Sequence, residues 1–179
     1  MVSNEPAIYS APRRLLHWGM ALLLIAMIVG VELHDSFPKG STLRSLLMDV
    51  HTQFGLLVFL LIWPRLLLAW RGNKPPVVPQ LPAWQEKLAA LIHFALYASM
   101  ASLPVIGVLV IQSGDKSVSL LGLQLPQLIG ANKDVSHNLR EVHETLGNIV
   151  IGLIVLHVAA AVWHHRILRD NTLTRMLST

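Results

Sequence analysis

The chain has 179 residues, 53% of them hydrophobic and 13% charged, with a mean hydropathy of +0.54. That balance excludes an ordinary soluble domain, which needs more charge to cover its surface. There is no cysteine, so disulfides, iron–sulfur clusters held by thiolates and c-type haem attachment are excluded, and the formal charge of +4 needs no nucleic acid to explain it once its distribution is seen.

The first apolar window, Leu15–Leu33, is long enough to cross a hydrocarbon core of about 30 Å as a helix of about 20 residues. Read as a cleaved signal peptide it would use Arg13 and Arg14 as its basic flank, but no small-residue cleavage site follows it. Glu32, Asp35 and Phe37 suit an interface, and a retained helix is expected. The second window, Leu46–Trp70, is interrupted near one end by Pro64 and Arg65, and the arginine is expected to snorkel to the interface. The stretch RGNKPPVVPQLP that follows is proline-rich and predicts an extended connection.

The third window, Leu88–Gln112, has no charge between Lys87 and Asp115, and Pro104 predicts a kink within it. Between it and the fourth lies a long loop containing SVSLLGLQLPQLIG, apolar enough to lie on the membrane surface as a short interfacial helix. The fourth window, Thr145–His165, is uncharged between Glu144 and Arg166. Together these predict an all-α fold: one domain over residues 1–179, an integral membrane four-helix bundle with spans near 15–33, 46–70, 88–112 and 145–165. Arg13, Arg14, Arg65, Arg71, Lys74, Lys87, Arg166, Arg169 and Arg175 gather at one end, with the termini. The other end holds Lys39, Arg44, Lys116, Lys133 and Arg140 with most of the acids, so both termini are expected in the cytoplasm.

The nine histidines sort by position. His34 and His137 fall in outer-loop regions and are expected to be solvated, whereas His17, His51, His93, His143 and His157 lie inside or at the ends of spans. His143 and His157 are 14 residues apart, close to four helical turns, and share one face with about 21 Å of rise between them. Depth then pairs His17 with His157 and His51 with His143, each pair joining two helices. Zinc would ask for more ligands than a pair supplies, and a proton relay would ask for acids inside the spans. Two imidazoles facing each other across a flat, apolar macrocycle suit haem b, and the sequence predicts two per chain stacked across the membrane. The residues four after the paired histidines are Ala21, Gly55, Gly147 and Ala161, all small enough to admit a macrocycle and equally suited to helix packing; four after His93 comes Tyr97. Arg13, Arg14 or Arg166 could meet the propionates of the inner haem.

At this point the residues are familiar. HW at 17–18, PP at 75–76, LPVIG at 103–107, HE at 143–144, LH at 156–157, HH at 164–165 and DNTLTRM at 170–176 together resemble the bacterial cytochrome b561 family over nearly the whole chain. The pattern is most similar to the small members that oxidise periplasmic superoxide and reduce ubiquinone. The resemblance implies that His17 and His157 hold the cytoplasmic-side haem and His51 and His143 the periplasmic-side haem in a bacterial inner membrane. It further implies that His164 lies beside an inner quinone site and that His93 is not an axial ligand. The superoxide oxidases carry a lysine in the proline-rich inner loop where this chain has Gln80, with Lys74 six residues earlier. The expected partners are the bilayer, quinone and superoxide, steered by an outer funnel of Lys39, Arg44, Lys116, Lys133 and Arg140 that Asp49, Asp115, Asp134 and Glu141 dilute. His164 is the expected proton donor to quinone. Two rivals stay open: a haem-bearing subunit fed by a partner dehydrogenase or hydrogenase, and a haem-free transporter or assembly factor.

Overall fold

The computed structural model describes residues 8–177. Four helices are long and apolar enough to cross a membrane: α1 (Ala11–His34), α2 (Thr42–Arg71), α3 (Ala83–Ser113) and α4 (Lys133–Trp163), the last continuing through a π-helical turn at His164–Leu168. Each is longer than the apolar window inside it. Polar and capped turns extend it at the ends, where lipid no longer dictates composition. Pro12 suits the first turn of α1, where its missing N–H has no partner to lose. The Ser41 hydroxyl accepts from the Arg44 amide at the start of α2. The Asn132 side chain accepts from the amides of Asp134 and Val135 at the start of α4. Pro64 and Pro104 both lie inside helices, as a bundle interior tolerates where neighbours cover the freed carbonyls.

The helices pack as two hairpins, α1 on α2 and α3 on α4, which meet chiefly along α2 and α3. Close approach in the first hairpin depends on Gly30, where a Cβ would stand 3.3 Å from the Leu47 carbonyl oxygen. Two small apolar clusters hold the hairpins together. Met20, Val58 and Ile62 pack with Tyr97 and Met100 nearer the end that carries both termini, and Leu56, Val108 and Val118 with Ile111 and Leu120 nearer the other end. Elsewhere apolar side chains such as Leu22, Leu91 and Phe94 face outward, 61% to 70% exposed, which suits lipid and would be unfavourable in water. All five tryptophans, Trp18, Trp63, Trp70, Trp84 and Trp163, lie exposed toward the terminal end, where indoles mark the membrane–water interface.

The apolar stretch after α3 does not form the interfacial helix expected of it. It makes a minimal antiparallel hairpin, β1 (Ser119–Leu120) against β2 (Leu123–Gln124), turned by Leu121 and Gly122 at positive φ. Two features outweigh its apolar composition. Gly122 and Pro126 are both poor in a helix, and two glutamines take its backbone groups. Gln53 donates to the Ser119 carbonyl at 2.7 Å and accepts from the Leu121 amide at 2.9 Å. Gln112, fully buried, donates to the Pro126 carbonyl at 2.8 Å and accepts from the Leu128 amide at 2.9 Å. The hairpin is thereby clipped to α2 and α3 and closes that end.

At the terminal end the tail turns back. Arg169 adopts a left-handed conformation, and Asn171 donates to the Val78 and Pro76 carbonyls while its own side chain accepts from the Val78 amide. Arg175, buried, donates to the Pro75 carbonyl, and Trp18 of α1 donates to the Met176 carbonyl at 2.9 Å. The motif DNTLTRM is a strap that fixes the proline-rich connection.

Candidate functional site

His17 lies on α1, His51 on α2, His93 on α3, and His143 and His157 on α4. The rings of His51 and His143 stand 6.0 Å apart between centroids and those of His17 and His157 6.3 Å apart, with interplanar angles of 77° and 84°. These pairs span α4 to α1 and α4 to α2, whose backbones approach each other far less closely than α4 approaches α3. The imidazoles therefore reach across the loosest seam of the bundle.

That spacing can be tested against the group expected there. Two imidazoles sharing one iron need metal–nitrogen bonds of about 2.0 Å each, which with the half-width of two rings places the centroids about 6 Å apart. Both pairs fit. The second ring nitrogen of His51 fits as well. Nδ1 of His51 lies 3.4 Å from the Met27 carbonyl, which orients the ring and leaves Nε2 toward its partner. Nδ1 of His143 is buried close to the Leu103 backbone but makes no hydrogen bond of good geometry. A Cβ on Gly107 would come within 3.2 Å of the His143 ring, so glycine lets α3 lie against that ring. A Cβ on Gly147, one turn after His143, would meet nothing within 4 Å, leaving room beside the ring for a macrocycle. Among the described residues no group of three or more His, Asp or Glu side chains converges on a common ion.

His93, which the resemblance did not make a ligand, adjoins the His17–His157 pair, its ring centroid 5.3 Å from that of His157. Arg65 departs further. It does not snorkel outward; its Nη2 stands 3.1 Å from Nδ1 of His17, and its guanidinium lies 5.7 Å from the Tyr97 ring centroid. The interior offers it two electron-rich partners, which lipid does not. Its depth held the signal. Arg65 lies six residues before the end of α2, and His17 six after the start of α1, each about 9 Å in from its helix end.

The remaining site residues gather at the terminal end. His164 donates from Nδ1 to Asp170 Oδ2 at 2.5 Å, and Asp170, itself buried, also accepts from the Thr172 amide at 2.8 Å. Burial alone would raise the Asp170 carboxyl, but the hydrogen bonds from His164 and Thr172 outweigh it and hold the group below its ordinary value. Sequence reasoning missed Asp170 as a partner of His164, although both lie in the motifs it singled out. Arg13 donates to the Asn73 carbonyl at 2.6 Å and to the Ala69 carbonyl at 3.2 Å and lies over the Tyr9 ring, and Arg14 donates to the Leu177 carbonyl. Both arginines thus brace the connection and the tail, and Arg166 is exposed on the π-helical turn. Lys74, with Arg13, Asn73 and Pro75, lines an open cleft of about 690 Å³, whereas Gln80 lies exposed farther along the connection. At the hairpin end Arg44 is tied to Asp35 at 2.7 Å and to the His34 and Phe37 carbonyls, while Lys39, Lys116, Lys133 and Arg140 are exposed. His34 is partly buried against Asp35 rather than free in solvent, and His137 is exposed beside Glu141.

A four-helix membrane bundle with facing imidazoles buried between its helices defines the class: a membrane-embedded electron-transfer protein of the b-cytochrome type. The family model described as prokaryotic cytochrome b561 matches residues 8–179, and the chain belongs to that family. It is 36% identical to cytochrome b561 homolog 1 of Escherichia coli (strain K12) over 169 residues, 94% of this chain and 96% of that protein. It is 31% identical to the probable superoxide oxidase CybB of Yersinia pestis over 169 residues, 94% and 95% of the two chains. Cytochrome b561 homolog 2 of the same E. coli strain is 29% identical over 188 residues, 98% of this chain and 94% of its own. Family membership implies b-type haem and a bacterial multi-pass membrane protein.

Proposed function

We propose that the protein carries two b-type haems, one held by His17 and His157 and one by His51 and His143, and passes electrons from superoxide to ubiquinone. The observation that carries this reading is the common spacing of the two pairs, 6.3 and 6.0 Å, at two depths on α4. The choice of superoxide is supported by the 31% identity to a probable superoxide oxidase. Bound haems would supply single-electron relay between the two faces.

The chain's own residues do the rest. Lys39, Lys116, Lys133 and Arg140, exposed at the hairpin end, attract an anion such as superoxide, and two superoxide ions leave as two molecules of oxygen after giving one electron each. The hairpin and its glutamine clips keep water from the outer pair. At the terminal end Lys74 and Gln80 can donate to a quinone carbonyl. His164, held through Nδ1 by Asp170, takes up a proton at Nε2 to become the imidazolium and passes that proton to the quinone oxygen; two electrons and two such protons convert ubiquinone to ubiquinol. With positive-inside charge the terminal end faces the cytoplasm of a bacterial inner membrane, so these protons are drawn from there.

The test is the reduced-minus-oxidised spectrum of detergent-purified protein, with haem per chain from pyridine haemochrome. Two b-type haems, reduced by a superoxide-generating system and reoxidised by added ubiquinone, are expected. Two haems that superoxide leaves oxidised would replace the donor with a partner dehydrogenase or hydrogenase. A colourless protein would end the reading altogether.

A further inference from the structure

The terminal-end pair differs from its counterpart by a permanent charge set directly against one of its rings. Arg65 sits in the membrane-spanning part of α2 with Nη2 3.1 Å from Nδ1 of His17 and its guanidinium facing Tyr97 of α3. Among the described residues no carboxylate pairs with it. The side chain is long enough to reach the interface, so its inward course reflects the partners it finds. A guanidinium only donates and does not lose its proton, so it remains a cation whichever nitrogen of His17 carries hydrogen. At the other pair the corresponding position is neutral: Nδ1 of His51 faces the Met27 carbonyl, and Nδ1 of His143 lies near the Leu103 backbone.

We propose that Arg65 tunes the inner site, raising the reduction potential of the haem held by His17 and His157 relative to that of the haem held by His51 and His143. The inference rests on the two-haem reading above. A haem held by His17 and His157 would lose one positive charge on reduction, and a fixed cation beside one of the histidines holding it would favour the state with less positive charge. At the other pair no guanidinium meets a ring; Arg140, about one turn before His143, is exposed to solvent, where its charge is screened. The difference inclines an electron toward the quinone-facing end, which makes Arg65 a positioning element for charge and not a ligand.

The test is a spectroelectrochemical titration of the detergent-purified holoprotein, in which His143→Ala, retaining only the inner site, assigns the two midpoints. Arg65→Gln and Arg65→Met are expected to lower the inner midpoint by at least tenfold in the reduction equilibrium, about 59 mV for one electron. The outer midpoint should stay where it was, and Arg65→Lys, which keeps the charge on a different reach, should fall between. An unmoved inner midpoint in either uncharged variant overturns the proposal, as does an equal shift of both midpoints. Loss of the inner haem from both uncharged variants also overturns it, since Arg65 would then hold the group and not tune it. Fewer than two haems in the unsubstituted protein refutes the two-haem reading itself, whereas two haems with unmoved midpoints refute Arg65 alone.

Discussion

At the hairpin end the bundle is closed by neutral amides, and at the terminal end by charges. Gln53 and Gln112 each give one donor and one acceptor to the hairpin backbone, so that loop is fixed without bringing an ion to the His51–His143 pair. At the terminal end Arg13, Arg14 and Arg175 brace the connection and tail through carbonyl oxygens, His164 pairs with Asp170, and Arg65 stands beside His17. Both ends carry imidazoles at nearly the same separation, yet their surroundings differ in charge and in hydrogen-bonding capacity. Two histidine pairs of one geometry become chemically different through what surrounds the rings.

The most drastic way to break the comparison is to remove one ligand at a time. His143→Ala and His51→Ala are each expected to halve the haem content while leaving the terminal-end site loaded. His17→Ala and His157→Ala should do the reverse, all read by pyridine haemochrome and the difference spectrum. Loss of all haem from any one variant would mean that the two ends are not independent.

A smaller effect is expected from Asp170→Asn, which acts on the terminal end alone. With the carboxylate replaced by an amide, His164 keeps an acceptor but loses the negative charge that steadies its protonated form, and ubiquinone turnover should fall about tenfold or more. Haem content should stay unchanged, and the rate of reduction by superoxide should hold. The pH dependence gives a second readout. Because the Asp170 carboxyl is held below its ordinary 3.8 in the folded chain, its contribution to stability is complete above that ordinary value and is lost as pH falls through the lowered one. The unsubstituted protein should therefore lose thermal stability across the acid range more steeply than Asp170→Asn, as followed by unfolding temperature against pH.

The mildest change sharpens the other side. Gln112→Leu removes the partners of the part-buried Pro126 carbonyl and Leu128 amide, at a cost of about 0.5–1.5 kcal/mol for each hydrogen bond. The unfolding temperature should drop by several degrees and the amides near Leu128 should exchange faster, with the terminal end unaffected. Equal loosening of the tail strap in hydrogen exchange would show that the ends are coupled through the helices.

Much of this was legible before any coordinates. The four apolar windows each lie within one helix because lipid thickness and backbone satisfaction constrain a span locally. The facing of His51 with His143, and of His17 with His157, follows from helical rise and the up-down order of four crossings. The hairpin was not legible, since its apolar residues permit a surface helix as readily as a strand pair. Gly122 and Pro126 gave a local hint against the helix, but the partners that decide the matter, Gln53 and Gln112, lie tens of residues away or across a chain reversal.

The sequence by itself determined the number of spans, their order, the depth of each histidine and the family, because hydropathy and helical period are properties of neighbouring residues. Only the tertiary structure decided that Arg65 turns inward to His17, that Asp170 holds His164, and that the tail straps the proline-rich connection. A long side chain or an unpaired backbone group goes to the strongest partner within reach, and which partner is within reach is set by helices that meet far apart in sequence.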